Sequence, residues 1–316
     1  MPANAAPDQT DELLTIRDWL RHGVTAMTRA NLVFGHGTTN AVDEAAFMIL
    51  AALELPIDSI DPWLDCRLTR LERVHVRDLF AARIATRKPA PYLVNRAYIQ
   101  GRRFYVDERV IVPRSFIGEL LCRDGLAALV PDAAAVERVL DLCTGSGCLA
   151  ILAAEAFPNA EVTAADISTD ALTVARRNVE AYGLHGQIRL VQSDLLDGLG
   201  AERFDLIISN PPYVTAEAVA TFPPEYRAEP QLAHLGGGDG LDLVHRILDA
   251  APSHLTAAGA LIVEIGEARP ALEASRPELP YFWLDTETSE GEVFALQAAD
   301  FQSPAKPKAT RAKAKP

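Results

Sequence analysis

Cysteine is scarce in this chain: four in 316 residues (Cys66, Cys122, Cys143 and Cys148), with no Cys-x-x-Cys pair among them. The seven histidines are scattered without metal-ligand spacing. Both facts speak against a zinc site or a disulfide framework, so a reduced compartment and no metal ligands are expected. Long apolar runs are also missing, and nothing approaches the ~18 consecutive apolar residues of a membrane span. The opening "MPANAAPDQTDE" has neither a basic segment nor an apolar core, so no signal peptide is expected and the expected location is the cytoplasm. Positive charge is short as well, with 30 Lys and Arg against 43 Asp and Glu, a formal charge of −13. That figure hides an asymmetry. The final "SPAKPKATRAKAKP" (303–316) carries five basic residues and no acid, which leaves −18 on residues 1–302. A body of that sign repels a phosphate backbone and speeds encounter with a cationic protein. A basic protein partner is therefore expected, and neither a membrane nor a sequence-specific nucleic acid.

What is present is apolar residue in quantity, 49% of the chain, enough for about two domains with real cores. Residues 1–10 and the Pro/Ala/Lys-rich 303–316 are expected to be disordered, because neither can bury apolar surface. Residues 11–90 read as a helical domain. "DELLTIRDWLRHGVTAMTRA" puts Leu13, Ile16, Leu20 and Met27 near one face. "TTNAVDEAAFMILAALEL" opens on Thr/Asn with acids in its first turn, and Thr69-x-x-Glu72 is a capping-box pattern. "KPAPYL" (88–93) breaks the helical pattern. Residues 91–115 read as a hairpin linker turning near Gly101, with a helix expected at about 116–129.

From 138 the period changes. "VERVLDLC", "AEVTAAD", "QIRLVQSD", "FDLIISN" and "GALIVEIG" are short buried strands alternating with helical stretches, so residues 116–302 form an α/β domain with a mostly parallel sheet. The last two runs, "YFWLDTE" and "GEVFALQ", are separated by a gap around Gly291 too short for a helical crossover. They are expected to pair antiparallel.

In open α/β sheets a ligand sits beyond the carboxyl ends of the strands. The first such end is "DLCTGSGC" (141–148), where Gly145 and Gly147 allow a tight turn into a helix N-terminus. It is no P-loop, lacking the Gly-Lys-Ser/Thr ending. The second end is Asp166, 21 residues beyond Gly145, placed to accept from two ribose hydroxyls. The third is Ser193-Asp194, whose carboxylate can accept from an exocyclic amine. The fourth is "SNPPYV", where Pro211 and Pro212 force the strand to stop. Any one of these acids alone reads as a solvated turn residue; together they outline a nucleoside site.

"LDLCTGSGCLAI", Asp166, "SDL" and "NPPY" together resemble the class I S-adenosylmethionine-dependent methyltransferases. The resemblance implies a Rossmann-like, mostly parallel sheet ending in an antiparallel strand pair, with S-adenosylmethionine as cofactor. It implies a cofactor set of Asp141, Thr144, Gly145, Ser146, Gly147, Asp166, Ile167, Ser193, Asp194 and Asn210. "NPPY" narrows it to enzymes that methylate a planar nitrogen, with Asn210, Pro211, Pro212 and Tyr213 as the catalytic turn. The helical domain, "FYVDERVIVPRS" and "YRAEPQLAHLGGGDGLDLVHRIL" extend the resemblance over about 11–300, to the protein glutamine N5-methyltransferases, which implies that residues 11–90 are a substrate-recognition domain gripping the protein substrate. "NLVFGHGTTNAVDEA" and "PRSFIGEL" are similar to the members acting on large-subunit ribosomal protein three. The release-factor members carry Pro-Arg-Pro-Asp-Thr-Glu where this chain has Pro-Arg-Ser-Phe-Ile-Gly-Glu (113–119). The expected function is N5-methylation of a glutamine on that basic ribosomal protein, with release factors or N6-adenine in RNA or DNA as alternative acceptors. Two residues stay open: His36 recognises substrate or caps a turn, and Glu119 reaches the cofactor or starts a helix. Cys143 and Cys148 read as small core fillers.

Overall fold

The computed structural model describes residues 9–123 and 126–302. The ends expected to be disordered lie outside them, apart from residues 9 and 10 in a 3-10 turn at Gln9–Glu12. The described residues divide into two compact units, one falling within 1–114 and 221–231, the other within 115–220 and 232–316.

The first unit is built on α1 (Ile16–Arg29), α2 (Ala41–Ala52), α3 (Arg70–Thr86) and the short α4 (Ala90–Val94). Each of the three long helices starts on a side-chain cap. Thr15 and Thr69 form reciprocal capping boxes with Asp18 and Glu72, and Asn40 accepts from the N–H groups of Val42 and Asp43. Such caps contribute about 1 kcal/mol each. The buried face of α1 is Ile16, Trp19 and Met27, packed with Met48, Ile49, Val76 and Phe80 into one core. Trp19 takes the place expected for Leu20, which is only partly buried, because its indole N–H finds the Leu13 carbonyl. The break expected at 88–93 falls earlier, where Arg87 ends α3 at φ 62°, and helical structure resumes at Ala90. The hairpin β1 (Ala97–Ile99) and β2 (Arg102–Phe104) turns at Gly101 and belongs to this unit.

The second unit contains α5 (Phe116–Cys122), β3 (Arg138–Leu142), α6 (Cys148–Ala156), β4 (Glu161–Asp166), α7 (Thr169–Ala181), β5 (Ile188–Gln192) and β6 (Phe204–Ser209). It continues through α8 (Ala216–Ala220), α9 (Asp242–His254), β7 (Leu255–Glu264), α10 (Arg269–Ser275), β8 (Phe282–Leu284) and β9 (Val293–Gln297). α5 is shorter than the helix expected over 116–129. Arg123 turns extended, its guanidinium drawn to the carboxylates of Glu119 and Glu287. The seven strands run in the order β5-β4-β3-β6-β7-β9-β8. The first five are parallel, and β9 is antiparallel to both β7 and β8. Strands buried on both faces need continuous apolar sequence, and Val139, Leu140, Val162, Ala164, Leu206, Ile207 and Ile208 are all essentially inaccessible. This is the Rossmann-like sheet with an antiparallel end expected of class I methyltransferases.

Candidate active site

The chain leaves β3 toward β4 and β5 on one side, then returns to β6 and β7 on the other. That reversal opens a crevice between the carboxyl ends of β3 and β6. Leu142 is in register with Ser209, whose hydroxyl donates to the Leu142 carbonyl at 3.0 Å. The turn after β3 and the turn after β6 therefore start side by side. One is the glycine loop; the other is Asn210-Pro211-Pro212-Tyr213.

The glycine loop is held from several directions. Cys143 adopts φ 60°, an uncommon conformation for a residue with a side chain. The Thr144 N–H donates to Ala165 in β4, and the Thr144 hydroxyl donates to Asp141 Oδ2 at 2.5 Å. Gly147 sits at φ 79° as the N-cap of α6, where a Cβ would also press on Ala175 at 3.2 Å. Asn178 anchors the Ser146 carbonyl from α7. Asp141 is fully buried, its Oδ1 has no hydrogen-bond partner among the described residues, and burial pushes its pKa up to about 7.

Asp166 lies where its strand-end position predicts. Its Oδ2 accepts from Gly145 N–H and its Oδ1 from Ser168 N–H, each at 2.9 Å. Burial raises its pKa, and these N–H donors oppose the rise. Beside it Ile167 leaves 47% of its surface in solvent, unusual for a large apolar residue next to a buried acid. Ser193 is committed to its own turn, donating to the Leu195 carbonyl and accepting from Gly198 N–H. Asp194 is half-exposed and paired with Arg246 at 3.0 Å. Cys148 is buried with its thiol pushed up to about 12 by desolvation, and burial also raises Cys143; both fit small core residues rather than nucleophiles.

Pro211 is buried, while Asn210, Pro212 and Tyr213 are partly exposed at the rim of the crevice. A parallel bridge between Val214 and Leu235 ties the following chain down. The Tyr213 ring lies over Gly266, just beyond β7, where an added Cβ would come within 2.7 Å of the ring.

Sequence reasoning missed Glu264. It ends β7, is 2% exposed, and accepts from the Ser115 hydroxyl at 2.7 Å and the Phe116 N–H at 2.9 Å, holding the start of α5. Burial pushes its pKa up to about 7. An acid closing the otherwise apolar "GALIVE" was the available signal. Glu119 accepts from Glu287 N–H at 2.9 Å and pairs with Arg123, so it joins α5 to the segment before β9.

Residues 124–222 match the methyltransferase small domain family. The chain is 56% identical over 294 residues to the ribosomal protein uL3 glutamine methyltransferase of Bradyrhizobium diazoefficiens, covering 92% of each chain. The proteins of the same name from Bordetella pertussis and Neisseria meningitidis are each 51% identical over 285 residues. The match spans 90% of this chain in both cases, and 95% and 93% of theirs. The chain belongs to the ribosomal protein uL3 glutamine methyltransferase family. As a member it is a methyltransferase, and its cofactor is S-adenosylmethionine. The residues present fit that cofactor. It carries two ribose hydroxyls, an adenine face and an ammonium group. The strand ends offer a positioned carboxylate at Asp166, an exposed apolar side chain at Ile167 and an orphaned carboxylate oxygen at Asp141. Among the described residues no helix is long and apolar enough to cross a membrane, and no group of three or more His, Cys, Asp or Glu could hold a metal ion.

Proposed function

We propose that this protein methylates the side-chain amide nitrogen (N5) of a glutamine on large-subunit ribosomal protein uL3, in the cytoplasm where that protein is made. One juxtaposition carries the reading: the Asn-Pro-Pro-Tyr turn starts beside the glycine loop, so an acceptor at the first faces a cofactor at the second. The relatives' names supply the acceptor. The −18 on residues 1–302 suits a basic ribosomal protein and opposes RNA as substrate.

An amide nitrogen is a poor nucleophile because its lone pair is delocalised into the carbonyl. The Asn210 side-chain oxygen and the Pro211 carbonyl accept its two N–H groups and turn the lone pair toward the methyl group. Pro211 and Pro212 restrict the backbone that carries those acceptors, and Tyr213 packs against the amide plane. S-adenosylmethionine, when bound, supplies a methyl group made electrophilic by its positively charged sulfur. Rate enhancement comes from orientation and from acceptors already aimed at an N–H pair that grows more positive. No side-chain base is needed before transfer, and the surplus proton leaves to water.

Asp166 uses its remaining lone pairs on the ribose hydroxyls, Ile167 covers the adenine, and Asp194, shared with Arg246, takes the adenine amine with the Ser193 turn behind it. Thr144, Gly145, Ser146 and Gly147 bring backbone close to the cofactor. Asp166→Ala is expected to weaken cofactor binding by about 1–3 kcal/mol, roughly 5- to 150-fold in Kd. Calorimetry with S-adenosylhomocysteine measures it, and an unchanged Kd would put the ribose elsewhere.

Asp141 gives a pH dependence. Its folded pKa is raised to about 7, so its contribution to the stability of the free protein is complete below about pH 4 and lost as pH rises through 7. A cofactor ammonium group beside its orphaned oxygen favours the ionised form, so binding must expel a proton at low pH. The Kd for S-adenosylhomocysteine is expected to rise about tenfold from pH 8 to pH 6. Asp141→Asn should flatten that profile, and a variant titrating like the parent would remove Asp141 from the account.

The function itself is tested by incubating purified uL3 with the enzyme and labelled S-adenosylmethionine, then locating a single-methyl increment by tryptic mass spectrometry. Label on a uL3 glutamine is expected. Label only on release factors or on RNA would assign one of the other acceptors.

A further inference from the structure

The first unit contains a cavity of about 330 Å³ that the proposed chemistry leaves unused. Phe47, Ile57 and Tyr98 supply apolar wall, while Asp43 and Asp58 stand exposed at its edge. Asp43, in the first turn of α2, accepts from the Asn40 amide at 2.7 Å. Among the described residues the Asp58 carboxylate has no partner, and no lysine or arginine lines the cavity.

His36 is the second observation. It also lines the cavity, yet it is 1% exposed, and neither ring nitrogen makes a hydrogen bond among the described residues. Its ring packs 4.3 Å from that of Tyr226, and its Nε2 lies 3.5 Å from Glu229 Oε2. Glu229 is fully buried and accepts from Val112 N–H and the Arg114 guanidinium, which fixes its position. A carboxylate on that side favours the tautomer with the proton on Nε2, which leaves Nδ1 as a lone-pair acceptor. A buried acceptor without a donor calls for one from outside the chain.

We propose that this cavity receives a lysine or arginine side chain of the protein substrate. The methylenes lie against Phe47 and Ile57, the cationic head sits between Asp43 and Asp58, and His36 Nδ1 is the third acceptor. Long basic side chains bury an apolar stem while keeping the charge near water, which matches an apolar recess with acids at its edge. The inference rests on uL3 being the substrate and names how part of it is gripped.

Steady-state methylation of uL3 by the full-length enzyme tests it, comparing the parent with Asp58→Lys and with Ala46→Phe. The first puts a like charge at the mouth from an exposed position where folding is not at stake. The second fills the cavity from its wall. Both are expected to raise KM for uL3 about tenfold while kcat and the Kd for S-adenosylhomocysteine stay within about twofold. A parent that methylates uL3 and an Asp58→Lys variant with the parental KM would overturn the cavity's role while leaving the function standing. A parent that does not methylate uL3 would overturn the functional reading, and this inference with it.

Discussion

Asn210→Ala is expected to lower turnover by about 10²–10³, the scale for removing one preorganised hydrogen-bonding partner of a reacting group. Cofactor affinity should change far less, because the proposed contact is to the acceptor nitrogen. The residue sits at the crevice rim, beyond a strand that is buried to its last residue, Ser209. The orienting role predicts a melting temperature near the parent's in this variant. Asn210→Asp sharpens the test, since it keeps an acceptor oxygen at nearly the same place. The orienting role requires Asp to retain more activity than Ala. A purely structural asparagine, donating its amide N–H to hold the turn, would lose stability in both variants. An Ala variant that is folded and methylates uL3 at the parental rate would end the mechanism.

Arg83→Met is expected to destabilise the protein by about 3–5 kcal/mol, the usual cost of removing one partner from a buried ion pair. Arg83 is fully buried in α3. Its Nε donates to Glu44 Oε1 at 2.6 Å and its Nη2 to the Val33 carbonyl at 3.1 Å. Its Nη1 lies 3.9 Å from Glu225, which also accepts from Arg87 at 2.9 Å and from Val33 N–H. Burial alone would raise the pKa of Glu225, but the Arg87 guanidinium and these donors hold it below the ordinary value. Without Arg83, Glu44 keeps only the Thr38 hydroxyl as a side-chain donor among the described residues. The penalty is a stranded charge rather than lost attraction, so Arg83→Met with Glu44→Met should recover much of the loss. Urea unfolding of the parent, single and double variants measures this. A single variant as stable as the parent, or a double variant less stable than the single, would refute the network's role.

The glycine loop, Asp166 and the Asn-Pro-Pro-Tyr turn were legible in the sequence because each closes an apolar strand with residues a strand cannot continue. Each stands in a few adjacent positions, and the parallel sheet brings strand ends to one edge whatever the loops do. Glu264 was not legible as a holder of α5, since its partner Ser115 lies 149 residues earlier in the chain. His36 stood in a glycine-rich loop that gave no sign of its burial against Tyr226, a residue beyond the methyltransferase motif.

By itself the sequence determined the strands, the starts of α2 and α3 and the residues at the strand ends, because periodicity and cap chemistry act over a few positions. It also determined the acidic character of the body. Tertiary structure alone decided that β9 lies between β7 and β8. It also decided that residues 221–231 join the helical unit through Glu225 and Glu229, and that a cavity edged by Asp43 and Asp58 opens there. The physical reason is that loop-closure entropy grows only slowly with length. Arg83 could pair with any of many distant carboxylates at similar entropic cost, and only packing of the whole unit selects Glu44.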